Sequence, residues 1–362
     1  MMIWSMHKCA REDAPRRLSL FYDLGKFPKI FIENLFAMRI LPPSAATSSY
    51  STLAAVFAEA AIIIPLESWI TSIYFSNTDP FSPGEDKSII VYLIIFCLAH
   101  LFQIILCWDA LYHQNTIQIL GFLFFTTAAT AYAVFQGASI TSNIAEGDAR
   151  HDLFMDNPLL ALNATKAGNL LYIPDSAQKA QMKAMLLAVP AIMAVFAIGY
   201  FAIFYNLYQE FGWKIYKKIG ADPHMRYMYR LYQMFIMMIK LDVFFMFGFG
   251  IQFLVLIIQL HDPEFAITIA AIPVLMGILA MAIHGIRTEN KVITISFMCG
   301  LMLANSYFAF KIFRIFTQPE KYQYTKKYLT FFALLSIIVV SVSLGITGLC
   351  YSNFGKGLKE HS

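Results

Sequence analysis

Long apolar runs alternate with short polar ones along this chain, and each long run suffices to cross a bilayer as a helix. About 20 helical residues cover the roughly 30 Å of hydrocarbon. Eight stretches meet that length: Tyr50–Tyr74, Ile89–Asp109, Ile117–Ile140, Ala184–Tyr208, Leu241–Leu260, Phe265–Ile286, Val292–Phe316 and Tyr328–Tyr351. The pattern predicts an all-α fold, a polytopic transmembrane helical bundle of about eight spans. A seven-span bundle is the alternative, because Lys311 and Arg314 erode the end of the seventh stretch.

Composition agrees with the pattern. Of 362 residues, 58% are hydrophobic and only 14% charged, and the mean hydropathy is +0.59. Soluble domains sit near 45–50% apolar and about 25% charged, and an excess this large cannot be hidden in one soluble core. The 33 Phe and 19 Tyr suit membrane spans, Tyr especially at the interfaces. The longest connection, Thr141–Met182, is too short to build a core of its own.

Lys and Arg in short loops set the orientation. The segment before the first span carries Lys8, Arg11, Arg16, Arg17, Lys26, Lys29 and Arg39, and the fourth connection carries Lys214, Lys217, Lys218, Arg226 and Arg230. Both are expected in the cytosol. The expected organisation is a cytosolic basic segment over 1–49, partly disordered or interfacial; a transmembrane domain over 50–351, with a lumenal loop at 141–182 and a cytosolic loop at 209–240; and a cytosolic tail over 352–362. Thr141–Met182 holds the sequon Asn163-Ala164-Thr165, so Asn163 is an expected glycosylation site and the protein an expected glycoprotein. The basic connection TQPEKYQYTKK falls on the lumenal side and disagrees with the rule.

The N-terminal stretch FPKIFIENLFAMRIL is interrupted by Lys29, Glu33 and Arg39, so it does not read as a cleaved signal peptide. Cys97 and Cys107 lie on one predicted helix about 15 Å apart by rise, too far to bridge. Cys350, near the cytosolic end of the last span, is by position a candidate for palmitoylation.

Ionisable residues inside the spans are the chemical candidates. They are Glu59 and Glu67 in the first, His100 and Asp109 in the second, Lys240 and Asp242 around the start of the fifth, and His284 near the end of the sixth. Such groups are costly in hydrocarbon, so they face the bundle and are paired. Glu59, Glu67, Asp109, Lys240 and Asp242 therefore form the candidate intramembrane polar site, read either as a polar pocket or ion path or as structural buried pairs. Lys240 has two readings of its own. Counting 20 residues back from Leu260 starts the span at Leu241 and leaves Lys240 snorkelling at the interface. A boundary at Tyr232 buries it instead, and then it needs a carboxylate from another helix, since Asp242 lies about 200° around its own. Asp242 is expected to face the bundle in either case.

No Walker A sequence, GxGxxG, HExxH or GxSxG is present, and the eight His show no metal-ligand spacing. No enzyme activity, cofactor, metal or nucleic-acid partner is expected. The expected partners are the lipid bilayer and, at the basic cytosolic loop, anionic lipid headgroups, at about 1 kcal/mol per basic side chain. The DRY and NPxxY signatures of receptors are also missing.

RLYQMFIMMIKLDVFFMFGFGIQFLVLI, ANSYFAFKIFRIF, KKYLTFFALL and NFGKGLK resemble segments of a family of uncharacterised multi-pass Golgi apparatus membrane proteins of fungi. The resemblance covers roughly Tyr229–Lys359 and is weaker before it. It implies a Golgi apparatus membrane address and an all-helical fold, and it supplies no catalytic residues. Three functions stand open: a trafficking or membrane-organising role in the secretory pathway; a small-solute or ion transporter or channel using the intramembrane carboxylates; and, least supported, a seven-helix receptor. Convergence of Glu59, Asp109 and Asp242 on a water-filled cavity would favour transport.

Overall fold

The computed structural model describes residues 47–77, 86–156, 175–219, 223–256, 277–279, 281–318 and 326–355. These residues form the long helices α1 (Thr47–Asn77), α2 (Asp86–His113), α3 (Thr116–Asp156), α4 (Ser176–Ile219), α5 (Pro223–Leu256), α6 (Lys291–Thr317) and α7 (Lys326–Ser352). All seven are long and apolar enough to cross a membrane. The all-α multi-span fold is thus as expected. Asn163, the basic residues before Leu41, HDPE at 261–264 and the tail after Gly355 lie outside the described residues, as does most of the expected sixth span.

Local signals explain where the helices start. Between α2 and α3 the chain turns on Gln114, which adopts a left-handed φ of 51°. Asn115 then caps α3, its Oδ1 accepting from Ile117 N at 3.0 Å. Asn290 does the same for α6, accepting from the backbone N–H groups of Val292 and Ile293. Pro65 and Pro190 sit inside α1 and α4 without ending either helix.

The loops are shorter than the hydropathy predicts. Residues 141–156 extend α3 and 176–182 begin α4, so the expected loop Thr141–Met182 is helical at both ends. Lys179 and Asp148 join those extensions at 2.6 Å. The expected cytosolic loop 209–240 is likewise the end of α4 and the first half of α5. Met228, Leu231, Tyr232 and Phe235 are buried there, so the bundle begins well before Leu241.

The helices form two groups. In the first, α1 packs on α2, α2 on α3, α3 on α4, and α4 back on α1, a closed ring. In the second, α7 packs on both α5 and α6, and α5 lies against α2 and α3 of the ring. Helix α5 runs parallel to α6: Phe235 meets Phe297 near their starts and Phe249 meets Phe308 further along. Arg287, just before α6, donates to Tyr232 near the start of α5 at 3.0 Å. The chain therefore leaves α5 at one end of the bundle and reappears at the other.

Close approach is built by small residues. A Cβ on Gly137 would come within 2.8 Å of the Leu186 carbonyl of α4, and one on Gly248 within 2.8 Å of Phe332 in α7. The seam between the groups is aromatic. Phe102 stacks on Phe244 with ring centres 4.9 Å apart, and Phe125 meets Phe244 edge-on at 4.7 Å.

Candidate functional site

All five charged candidates are buried: Glu59 is 0% exposed, Glu67 3%, Asp109 4%, Lys240 2% and Asp242 0%. The structure distributes them over separate contacts and does not gather them into one site.

Glu59 of α1 sits inside the ring. Its Oε2 accepts from Gln103 Nε2 of α2 at 2.8 Å and from the Tyr200 hydroxyl of α4 at 2.7 Å. Gln103 Nε2 also lies 3.3 Å from Thr126 Oγ1 of α3, so every helix of the ring contributes a polar atom. Glu59 Oε1 has no hydrogen-bond partner among the described residues. Glu67 lies further along α1, where its Oε2 accepts from Gln136 Nε2 of α3 at 2.8 Å. Neither glutamate has a cationic partner among these contacts.

Asp109 and Lys240 are different in kind. Lys240 Nζ of α5 donates to Asp109 Oδ2 of α2, both side chains almost fully buried. His113, one turn on, places Nδ1 3.2 Å from Asp109 Oδ1. This overturns the interfacial reading of Lys240. The span does not start at Leu241, the lysine does not snorkel, and its counter-charge comes from another helix, as burial demands. The pair ties the α1–α4 ring to α5 across the aromatic seam.

Asp242, two residues on, turns to the opposite side of α5 and accepts from Ser343 Oγ of α7 at 2.5 Å. It faces the bundle as expected. Lys311 of α6 is also buried, its Nζ 3.8 Å from the centre of the Phe253 ring. Cys350 is 2% exposed, with Sγ 3.9 Å from the Leu231 carbonyl, so it is no surface thiol for acylation.

The partners Gln103, Gln136, Tyr200 and Ser343 were not among the candidates named from sequence. The two glutamines had a signal: each is an amide inside an otherwise apolar run. Tyr200 and Ser343 had none, for hydroxyls and rings are common in these helices.

Described crevices avoid the carboxylates. One at the seam is lined by Phe96, His100, Tyr132, Phe244, Phe331 and neighbouring apolar residues. Another, beside Tyr200, is lined by Thr52, Cys107, Phe122 and Leu207 among others. Among the described residues no group of three or more His, Cys, Asp or Glu is placed to hold a metal ion.

No family model matches the chain, and no solved structure matches it. One curated relative does: a UPF0658 Golgi apparatus membrane protein of Schizosaccharomyces pombe, 30% identical over 292 residues, covering 76% of this chain and 78% of the relative.

Proposed function

Since this chain belongs to the UPF0658 family of Golgi apparatus membrane proteins, we propose that it is a resident multi-pass protein of the Golgi membrane whose bundle acts as a fixed scaffold for membrane organisation or trafficking. The observation that carries this reading is the separation of the buried charges. Asp109 is matched by Lys240, Asp242 by Ser343, and the glutamates by Gln103, Tyr200 and Gln136. A solute path would instead be expected to bring such groups to a shared wet cavity. The functional surface is then the basic cytosolic end of α4 and α5, where Lys214, Lys217, Lys218, Arg226 and Arg230 meet anionic lipid headgroups or an acidic partner. Both chain termini face the cytosol in this arrangement, and Asn163 faces the lumen.

The test is localisation of a full-length chain with a C-terminal tag, with and without Lys214→Gln, Lys217→Gln and Lys218→Gln combined. The parent is expected in Golgi membranes, with its tag reached by antibody once the plasma membrane alone is permeabilised. The triple variant should fold equally well and disperse from the Golgi. A parent found elsewhere, or a variant that keeps both its place and its neighbours, contradicts the proposal. Ion or solute transport is the second reading, favoured by the free oxygen of Glu59.

A further inference from the structure

We propose that Glu59 is an exchangeable proton-binding site inside the α1–α4 ring. One carboxyl oxygen, Oε2, receives both nearby donors, Gln103 Nε2 at 2.8 Å and the Tyr200 hydroxyl at 2.7 Å. The other, Oε1, is buried and without a partner among the described residues. Both donors are neutral, so no contact of Glu59 among the described residues supplies the positive charge that Lys240 supplies to Asp109. An isolated buried carboxylate is costly, and a small cation at Oε1 removes the cost.

The coordination chemistry selects the cation. Calcium takes six to eight oxygen ligands and magnesium an octahedron. Here a single oxygen is free, and Gln103 and Tyr200 point hydrogens at the carboxyl, which repels a metal ion from that side. A proton needs only one lone pair. The exchange is simple: hydronium gives a proton to Oε1 and leaves water, and the reverse step returns it.

The crevice lined by Thr52, Cys107, Phe122 and Leu207 reaches Tyr200, the residue whose hydroxyl rests on Glu59, without lining the carboxyl itself. Thr52 and Leu207 stand one turn from Ser48 and Glu210, which meet at 3.4 Å towards that end of the ring. The described titratable groups on the helices packed against α1 are Lys179, Lys183, Tyr200, Tyr205, Tyr208 and Glu210 on α4, and Tyr92, Cys97, His100, Cys107, Asp109, Tyr112 and His113 on α2; of these, Tyr200 is the one that bonds Glu59. His100 Nδ1 is taken by the Phe96 carbonyl at 3.0 Å, and Asp109 by Lys240. On α3 the neutral Thr126 hydroxyl shares Gln103 Nε2 with Glu59, at 3.3 Å.

Infrared spectroscopy of the full-length protein in lipid nanodiscs tests the proposal. The difference between the parent and Glu59→Gln should contain a carboxylic-acid C=O stretch at low pH. That band should convert reversibly to carboxylate along a single-proton curve, and Tyr200→Phe should shift its frequency by removing a hydrogen bond. No acid band at any pH, or one that persists unchanged at every pH where the protein stays folded, overturns it. If Glu59→Gln does not fold, the parent alone decides by modification with dicyclohexylcarbodiimide, which attacks protonated carboxyls in apolar surroundings. Peptide mass spectrometry should find Glu59 modified, at least tenfold less at high pH than at low pH, and Asp109 spared. An unmodified Glu59, or modification indifferent to pH, refutes the site.

Discussion

Glu59 and Asp109 sit on adjacent helices and are almost equally buried, yet the molecule treats them in opposite ways. Inside the α1–α4 ring, Glu59 receives an amide and a phenol among the described residues. At the seam between the ring and α5, Asp109 receives an ammonium. The difference follows from what each place must do. Within the ring four neighbouring helices already interlock, and neutral hydrogen bonds suffice to fix their rotation. At the seam, contact is made by Phe rings, which slide and rotate at little cost, and a buried ion pair has one register only. Charge is thus used where packing alone is least specific.

That contrast is broken most forcefully at Lys240. Lys240→Leu leaves Asp109 buried without its counter-charge and should cost about 3–5 kcal/mol, read as a large drop in melting temperature in detergent. The interfacial reading would have made this substitution nearly harmless. A ring built by close packing should come next. Gly137→Ala pushes a Cβ against the Leu186 carbonyl, 2.8 Å away, and should cost about 1–3 kcal/mol because backbone cannot step aside as a side chain can. The same substitution at Gly199, which has nothing within 4 Å, is the control and should be silent.

Removing a neutral donor from the ring should hurt less than removing the seam's cation. Gln103→Leu deprives Glu59 of one of its two hydrogen bonds and should cost about 1–3 kcal/mol. Glu59→Gln should be the mildest, at roughly 1 kcal/mol or below, since the new amide oxygen still accepts from Gln103 and Tyr200. If Glu59→Gln proved as damaging as Lys240→Leu, the ring's carboxyl would be charged and paired after all, and the contrast would collapse.

The sequence made the spans plain because hydropathy is a local property, and a run such as LLAVPAIMAVFAIGYFAIF has few other places to go. It also marked Asp242 correctly, since a short carboxylate inside an apolar run has to turn inward. Lys240 was misplaced for a physical reason. Counting back from Leu260 assumes where the span ends, and a long lysine stem makes both depths plausible. What decides is Asp109, 131 residues earlier in the chain, and no local pattern carries a pairing at that separation. The loops were overdrawn for a related reason. Polar helical extensions such as 143–156 look like coil to a hydropathy scan, although they continue α3.

The central claim is that one buried ion pair registers the two helix groups. A double-mutant cycle tests it directly, with thermal or denaturant unfolding of the parent, Asp109→Leu, Lys240→Leu and the double variant. Each single variant should lose about 3–5 kcal/mol, whereas the double variant, with no charge left to strand, should recover most of it. Losses that simply add would mean that Asp109 and Lys240 do not depend on each other, and the seam would have to be held by its aromatic rings alone.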